Sequence, residues 1–230
     1  MGGICRTDAF VRNVRRLLIA CLSCLFAGCT AVVPPEPPVP EQVNPAALDT
    51  RIEVATFDRA LLARAIFDET NRVRAQLGLK PFRTLPKLNE AADLEAAVGR
   101  VYQPPRHTNP FPMIGTPQQR VSYVGLNPGG VAENIALLSI YEIDTNIGAG
   151  VVIRDGRKRF VHPETLEELR TETYRGFAAR VVDAWMHSPG HRVNIVHPGL
   201  THLGCSVQPS VSLSGVDQVF CVQVFFTPRS

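Results

Sequence analysis

Several features are missing from the 230-residue sequence, and each absence removes a class of protein. It contains no internal repeat, so nothing points to a stacked-repeat architecture. It has no G-x-S-x-G elbow, the turn on which many serine hydrolases mount their nucleophile. His187 and His191 have the four-residue spacing of helical zinc ligands, but Pro189 lies between them. Proline disfavours the helical conformation at the residue before it, so the two imidazoles do not share a helical face. Net charge is scarce as well. The formal +3 arises at the N-terminus, where Arg6, Arg12, Arg15 and Arg16 face Asp8 alone. The remaining chain balances, which gives no support to nucleic-acid binding.

What is present begins with a leader pattern. A basic stretch ending in Arg15-Arg16 precedes the apolar run Leu17–Ala27, which is too short to span a bilayer comfortably. The two together read as a secretory signal peptide over residues 1–28. Leu25-Phe26-Ala27-Gly28-Cys29 resembles a bacterial lipobox, which implies a lipidated Cys29 and attachment to a membrane through that anchor. Ordinary cleavage nearby, releasing a secreted protein, is the alternative. Val33–Pro40 is proline-rich. At ~3.1 Å per residue, the extended stretch from Thr30 to Pro45 would hold a domain roughly 50 Å from its anchor. Residues 29–55 are therefore read as lipidated cysteine plus tether, and residues 56–230 as one globular domain.

Within that domain the apolar spacing predicts a helix from about residue 57 to Gly78 and a second from Pro86 to Tyr102. One or two helical turns are expected over Thr116–Tyr123, and a helix from about Glu164 to His187. Asp155-Gly156 marks a tight hairpin whose tip carries Arg154, Arg157, Lys158 and Arg159. Those charges most simply guard a sheet edge. Two strand patterns, Thr201–Gln208 and Gln218–Phe226, close the chain. With the leader removed and Cys29 lipidated, only Cys205 and Cys221 remain, one in each strand. Pairing around the intervening turn would place them opposite each other, where an exported protein is expected to form a disulfide. Two buried thiols are the other reading.

The only tryptophan, Trp185, opens the stretch Trp185-Met186-His187-Ser188-Pro189-Gly190-His191-Arg192-Val193-Asn194-Ile195. Ser188 reads as an N-cap, Pro189 as the first residue of a new short helix and His191 as its third. The positive end of that helix disfavours an imidazolium at His191. His107, in an irregular segment, and Glu133, after Gly129-Gly130, are the other polar residues of interest. Two imidazoles and a carboxylate bind a divalent metal such as zinc or exchange protons near neutral pH. The equally simple alternative is that they pin loops by hydrogen bonds.

These residues also carry a family resemblance. Asn71-Arg72-Val73-Arg74, Gly78-Leu79-Lys80-Pro81-Phe82, Leu88-Asn89-Glu90-Ala91-Ala92, His107-Thr108-Asn109-Pro110 and Ala132-Glu133-Asn134-Ile135-Ala136 occur in that order. With the Trp185–Ile195 stretch and the closing Leu203-Gly204-Cys205 and Val222-Gln223-Val224-Phe225, they resemble the bacterial branch of the CAP (SCP-like) superfamily. The resemblance covers roughly Phe57–Thr227. It implies an α+β fold, an α-β-α sandwich with a small, mainly antiparallel central sheet. The segment of about residues 139–171 would add an inserted basic β-hairpin. It further implies a cleft holding His107, Glu133 and His191, with His107 and His191 as candidate metal (zinc) ligands. Ser188 stands where many relatives place a second acidic group. The implied function is a binding or scaffolding module of the cell envelope, for a lipid, glycan or peptide. The alternative is a metal-dependent hydrolase using His107, Glu133 and His191.

Overall fold

A computed structural model describes residues 43–101, 104–144, 146–211 and 217–229. The signal peptide, Cys29 and the proline-rich tether fall outside the described residues. The element order is α1 (Pro45–Leu48), a 3-10 turn (Val54–Thr56), α2 (Arg59–Gln76), α3 (Pro86–Gly99), α4 (Pro117–Tyr123), β1 (Pro128–Ser139), β2 (Gly150–Arg154), β3 (Arg157–Val161), α5 (Tyr174–His187), α6 (Pro189–Val196), β4 (His202–Val211) and β5 (Asp217–Pro228).

The last strand is the centre of the molecule. β5 lies between β1 and β4, antiparallel to both. Successive β5 side chains alternate between faces. Val219, Cys221 and Phe225 join Leu62, Ile66, Phe177, Val181, Trp185 and Ile195 from α2, α5 and α6. Phe220, Val222, Val224 and Phe226 join Leu88, Ala91, Ala92, Ala96 and Val121 from α3 and α4. Both faces are covered, which is why β5 reads as an almost unbroken apolar run, and the α-β-α sandwich follows.

Local signals fix the helix ends. Asp58 caps α2 by accepting from the Leu61 amide at 2.9 Å. At its other end Gly78 takes φ +69°, and the amides of Gly78 and Leu79 bond back to the carbonyls of Ala75 and Arg74. This is a Schellman closure. The N-x-x-R pair then anchors the turn after the helix: the Asn71 amide brackets the backbone of Phe82 at both N and O. Arg74, buried on the Phe82 ring, donates to the carbonyls of Lys80 and Ile195. Gly204 is required by contact rather than by turn geometry, since a Cβ there would lie 2.4 Å from the Leu88 carbonyl group.

The helix predicted over residues 164–187 is shorter than expected, beginning at Tyr174 with Thr173 as its cap. Leu166 sits at φ +58°, incompatible with continuous helix. Glu168, Thr171 and Thr173 instead form isolated bridges to Val161, Tyr141 and Arg51. The predicted hairpin is present as the two-stranded β2–β3 sheet, with Asp155 and Gly156 both at positive φ. Phe160 docks it by packing on Tyr141, ring centroids 4.9 Å apart. Glu168 lies within 3.4 Å of Arg154 and 3.9 Å of Arg159, offsetting part of the basic tip.

The expected disulfide is not formed. The register pairs Cys205 with Gln223 and Cys221 with Val207, so the two thiols are diagonal neighbours on one face rather than opposite partners. Diagonal positions are about 7–8 Å apart, beyond the usual reach of a disulfide. Both cysteines are buried thiols, and burial pushes the Cys221 thiol well up from its ordinary value. Alkylation of the native chain without reductant should therefore leave both unmodified, and alkylation after unfolding, still without reductant, should label both. Labelling of neither until a reductant is added would restore the bridge.

Candidate functional site

The site forms where the middle of β1 meets α4, α6 and the loop carrying His107. That loop is held by its own side chains. Asn109 Oδ1 accepts from the Phe111 amide, and Asn109 Nδ2 donates to the Ile114 carbonyl at 3.0 Å and to Glu95 Oε2 at 3.1 Å. A capping box between Thr116 and Gln119 then starts α4. These contacts place His107 Nδ1 3.1 Å from Glu133 Oε1. The His107 side chain is 48 % exposed and the Glu133 side chain 1 %, so a buried carboxylate orients an imidazole that faces solvent.

Two residues complete this arrangement that sequence reasoning did not single out. Arg120 is fully buried and lies between two carboxylates, with Nη2 2.6 Å from Glu133 Oε2 and Nη1 2.9 Å from Glu95 Oε2. It also donates to the carbonyls of Ile114 (3.0 Å) and His107 (3.3 Å). A guanidinium suits this position because its planar fork carries five donors in fixed directions. Glu95 did leave a trace in the sequence. The buried stripe of α3 is Leu88, Ala91, Ala92, Glu95, Ala96 and Gly99. A carboxylate at a position that helical periodicity assigns to the core needs a buried partner.

His191 lies across from His107, ring centroids 6.4 Å apart. Its backbone is tied down by a chain of amides through the sheet. Asn134 Nδ2 donates to the His191 carbonyl at 3.2 Å and to Gln223 Oε1 at 3.1 Å. Gln223 Nε2 reaches Thr70 of α2, and Asn194 Nδ2 reaches Asn134 Oδ1 and the Glu133 carbonyl. Ser188 does separate the two helices and precede Pro189 as N-cap, but its hydroxyl makes no capping bond. Its carbonyl receives the amides of His191 and Arg192 instead. His187 stays outside the site, exposed and bonded to Asp183 of its own helix.

The two imidazoles are tuned in opposite directions. The hydrogen bond to Glu133 holds His107 above the ordinary histidine value. Burial, and secondarily the charge of His107, holds His191 below it. The direction at His191 is the one expected from its sequence position, but the leading cause is desolvation. Burial pushes Glu95 up to about 7, outweighing the opposing pull of Arg120. Of the two rings, His107 thus takes up a proton more readily than His191.

This donor set does not fit a tightly held metal. Structural zinc takes four protein ligands and catalytic zinc three. Among the described residues no cluster of three His, Cys, Asp or Glu side chains comes together in ligand geometry. Both oxygens of Glu133 are engaged, by His107 and Arg120, which leaves two imidazoles.

The model of the cysteine-rich secretory protein family, CAP, matches residues 67–225, and the chain belongs to that family. Among solved structures it is similar to an extracellular protein containing an SCP domain from Bacillus anthracis str. Ames. Identity there is 18 %, over 81 % of this chain and 45 % of that one, with a TM-score of 0.48. The chain thus spans less than half the length of that protein. It is also similar to an outer surface protein from Borrelia burgdorferi (16 %, 79 % and 99 % covered, TM-score 0.47). A third is the CAP domain of Enterococcal PrgA (14 %, 79 % and 68 % covered, TM-score 0.46). No curated protein matches the chain.

Proposed function

We propose that this chain is an exported CAP module, held at the cell envelope by a lipidated Cys29 and its tether, whose His107–His191 cleft binds a ligand. The observation that carries the binding reading is the engagement of Glu133. A carboxylate already satisfied by His107 and a buried guanidinium is an orienting group, not a free base. An exposed imidazole that gains a proton readily, beside one that resists it, suits an anionic group, such as a phosphate or carboxylate on an envelope lipid or glycan. One feature favours the hydrolase alternative: a carboxylate-held imidazole with its other nitrogen directed away is also how a general base is positioned.

Titrating the full chain with phosphatidylglycerol micelles and with peptidoglycan fragments, while following the histidine ring resonances, separates the two. Binding predicts that one probe moves the His107 and His191 signals together, and that His107→Ala with His191→Ala abolishes saturation. Turnover of peptide or ester probes that disappears in Glu133→Gln would replace it with hydrolysis. Anchoring is tested separately by membrane partitioning, which Cys29→Ala should abolish.

A further inference from the structure

Beneath the cleft, the buried Glu95 contacts nothing that a ligand at His107 would touch, yet it holds the loop on which His107 is mounted. From α3 its Oε2 receives Asn109 Nδ2 of the loop at 3.1 Å and Arg120 Nη1 of α4 at 2.9 Å. Asn109 in turn closes the loop on itself through Phe111, Ile114 and Gly115. Arg120 grips the loop at two more points, the carbonyls of His107 and Ile114. One carboxylate therefore anchors both brackets of the segment from His107 to Gly115.

We propose that Glu95 is a pH-responsive positioning residue: ionised, it fixes Asn109 and Arg120 and with them the His107 loop, and protonated, it loosens both. Burial and three charged or titratable groups act on it. Burial disfavours the carboxylate most, and Glu133 from β1 disfavours it further. Arg120 from α4 favours it, as does His107 from the loop when protonated. The amide of Asn109 supports the ionised form by donating to it. With its value raised from 4.5 to about 7, Glu95 changes charge near neutral pH. The sign follows from the contacts. As pH rises, the carboxylate forms: the Asn109 bond gains a charged acceptor, which strengthens it roughly twofold, and the Arg120 contact becomes a full ion pair. As pH falls, a proton on Oε1 leaves Oε2 a neutral carbonyl oxygen for both donors, and the hold on the loop weakens.

The consequence for ligand capture rests on the binding reading given above, but the test reads the loop alone. In the isotopically labelled full chain, the Asn109 side-chain amide resonances should titrate with a midpoint near the Glu95 value of about 7. Hydrogen-exchange protection of Phe111 and Ile114, corrected for intrinsic pH dependence, should fall about tenfold on acidification through that midpoint, the ratio that one unit of coupling gives. Glu95→Gln keeps the shape and removes the charge, so both signals should become flat. The Trp185 indole resonance, bonded to the Ile135 carbonyl, reports that the fold is intact. Amide signals of Asn109 that stay fixed in the unmodified chain would overturn the proposal. A pH dependence that survives undiminished in Glu95→Gln would do the same. Should Glu95→Gln fail to fold, the Asn109 titration in the unmodified chain still decides. If the loop titrates while neither probe binds, the binding reading fails and the positioning role stands.

Discussion

Arg120→Met should cost the fold about 3–5 kcal/mol, the loss seen when one partner of a buried ion pair is removed. The reason lies in what stays behind. Glu95 and Glu133 have side chains only 1 % exposed, so without the guanidinium two buried carboxylates are left without their shared cation. The carbonyls of Ile114 and His107 lose donors as well. Urea unfolding at mildly alkaline pH measures the loss. Glu95→Gln combined with Arg120→Met removes one charge of each sign and should recover a substantial part of it, because Glu133 then keeps His107. Arg120→Lys should fall between, since an ammonium cannot span both carboxylates and both carbonyls.

The pH dependence of Arg120→Met has a definite sign. A carboxyl group raised in the fold contributes stability that is complete below its unfolded value and lost as pH rises through its folded value. For Glu95 that window runs from 4.5 to about 7. Arg120 opposes the rise, so its removal lifts Glu95 further and extends the window upward. The defect in Arg120→Met should therefore shrink on acidification as the stranded Glu95 takes up its proton. A defect equal on both sides of the window would show that the guanidinium acts by packing rather than by charge.

The contrast between what could and could not be read in the sequence follows from the range of each interaction. The ends of α2, the Asp155-Gly156 turn and the break at Ser188-Pro189 are local backbone preferences, so a few adjacent residues specify them. The family motifs marked His107, Glu133 and His191, and the fold does set His107 beside Glu133 and opposite His191. Pairing register is not local. Cys205 and Cys221 occupy adjacent strands as expected, but a two-residue offset decides between bridge and thiols. Arg120 was invisible for a related reason: its partners lie on α3, β1 and the His107 loop, and nothing nearby in sequence announces a buried cation. Glu95 was legible in principle, as the polar member of an otherwise apolar stripe. The false extension of α5 to Glu164 had a different origin, since the left-handed turn at Leu166 carries neither glycine nor asparagine to signal it.

Trp185→Ala should be comparably severe, at about 3–5 kcal/mol for loss of a buried aromatic, but for a different physical reason. Trp185 is 1 % exposed among the side chains of α2, α5 and the sheet. Its indole N–H also donates to the Ile135 carbonyl at 3.1 Å. Ile135 follows Glu133 and Asn134 in β1, so the bond ties α5 to the strand that supplies the carboxylate to His107 and the amide to His191. Two contributions can be separated. Trp185→Phe restores much of the volume and leaves the carbonyl without its donor, an unmade bond worth about 1–3 kcal/mol when buried. Urea unfolding should therefore rank the alanine variant well below the phenylalanine variant. The Asn134 side-chain amide resonances should shift in both, because both release β1 from α5. Equal stabilities would mean that the single hydrogen bond, rather than the filled volume, holds the site strand in place.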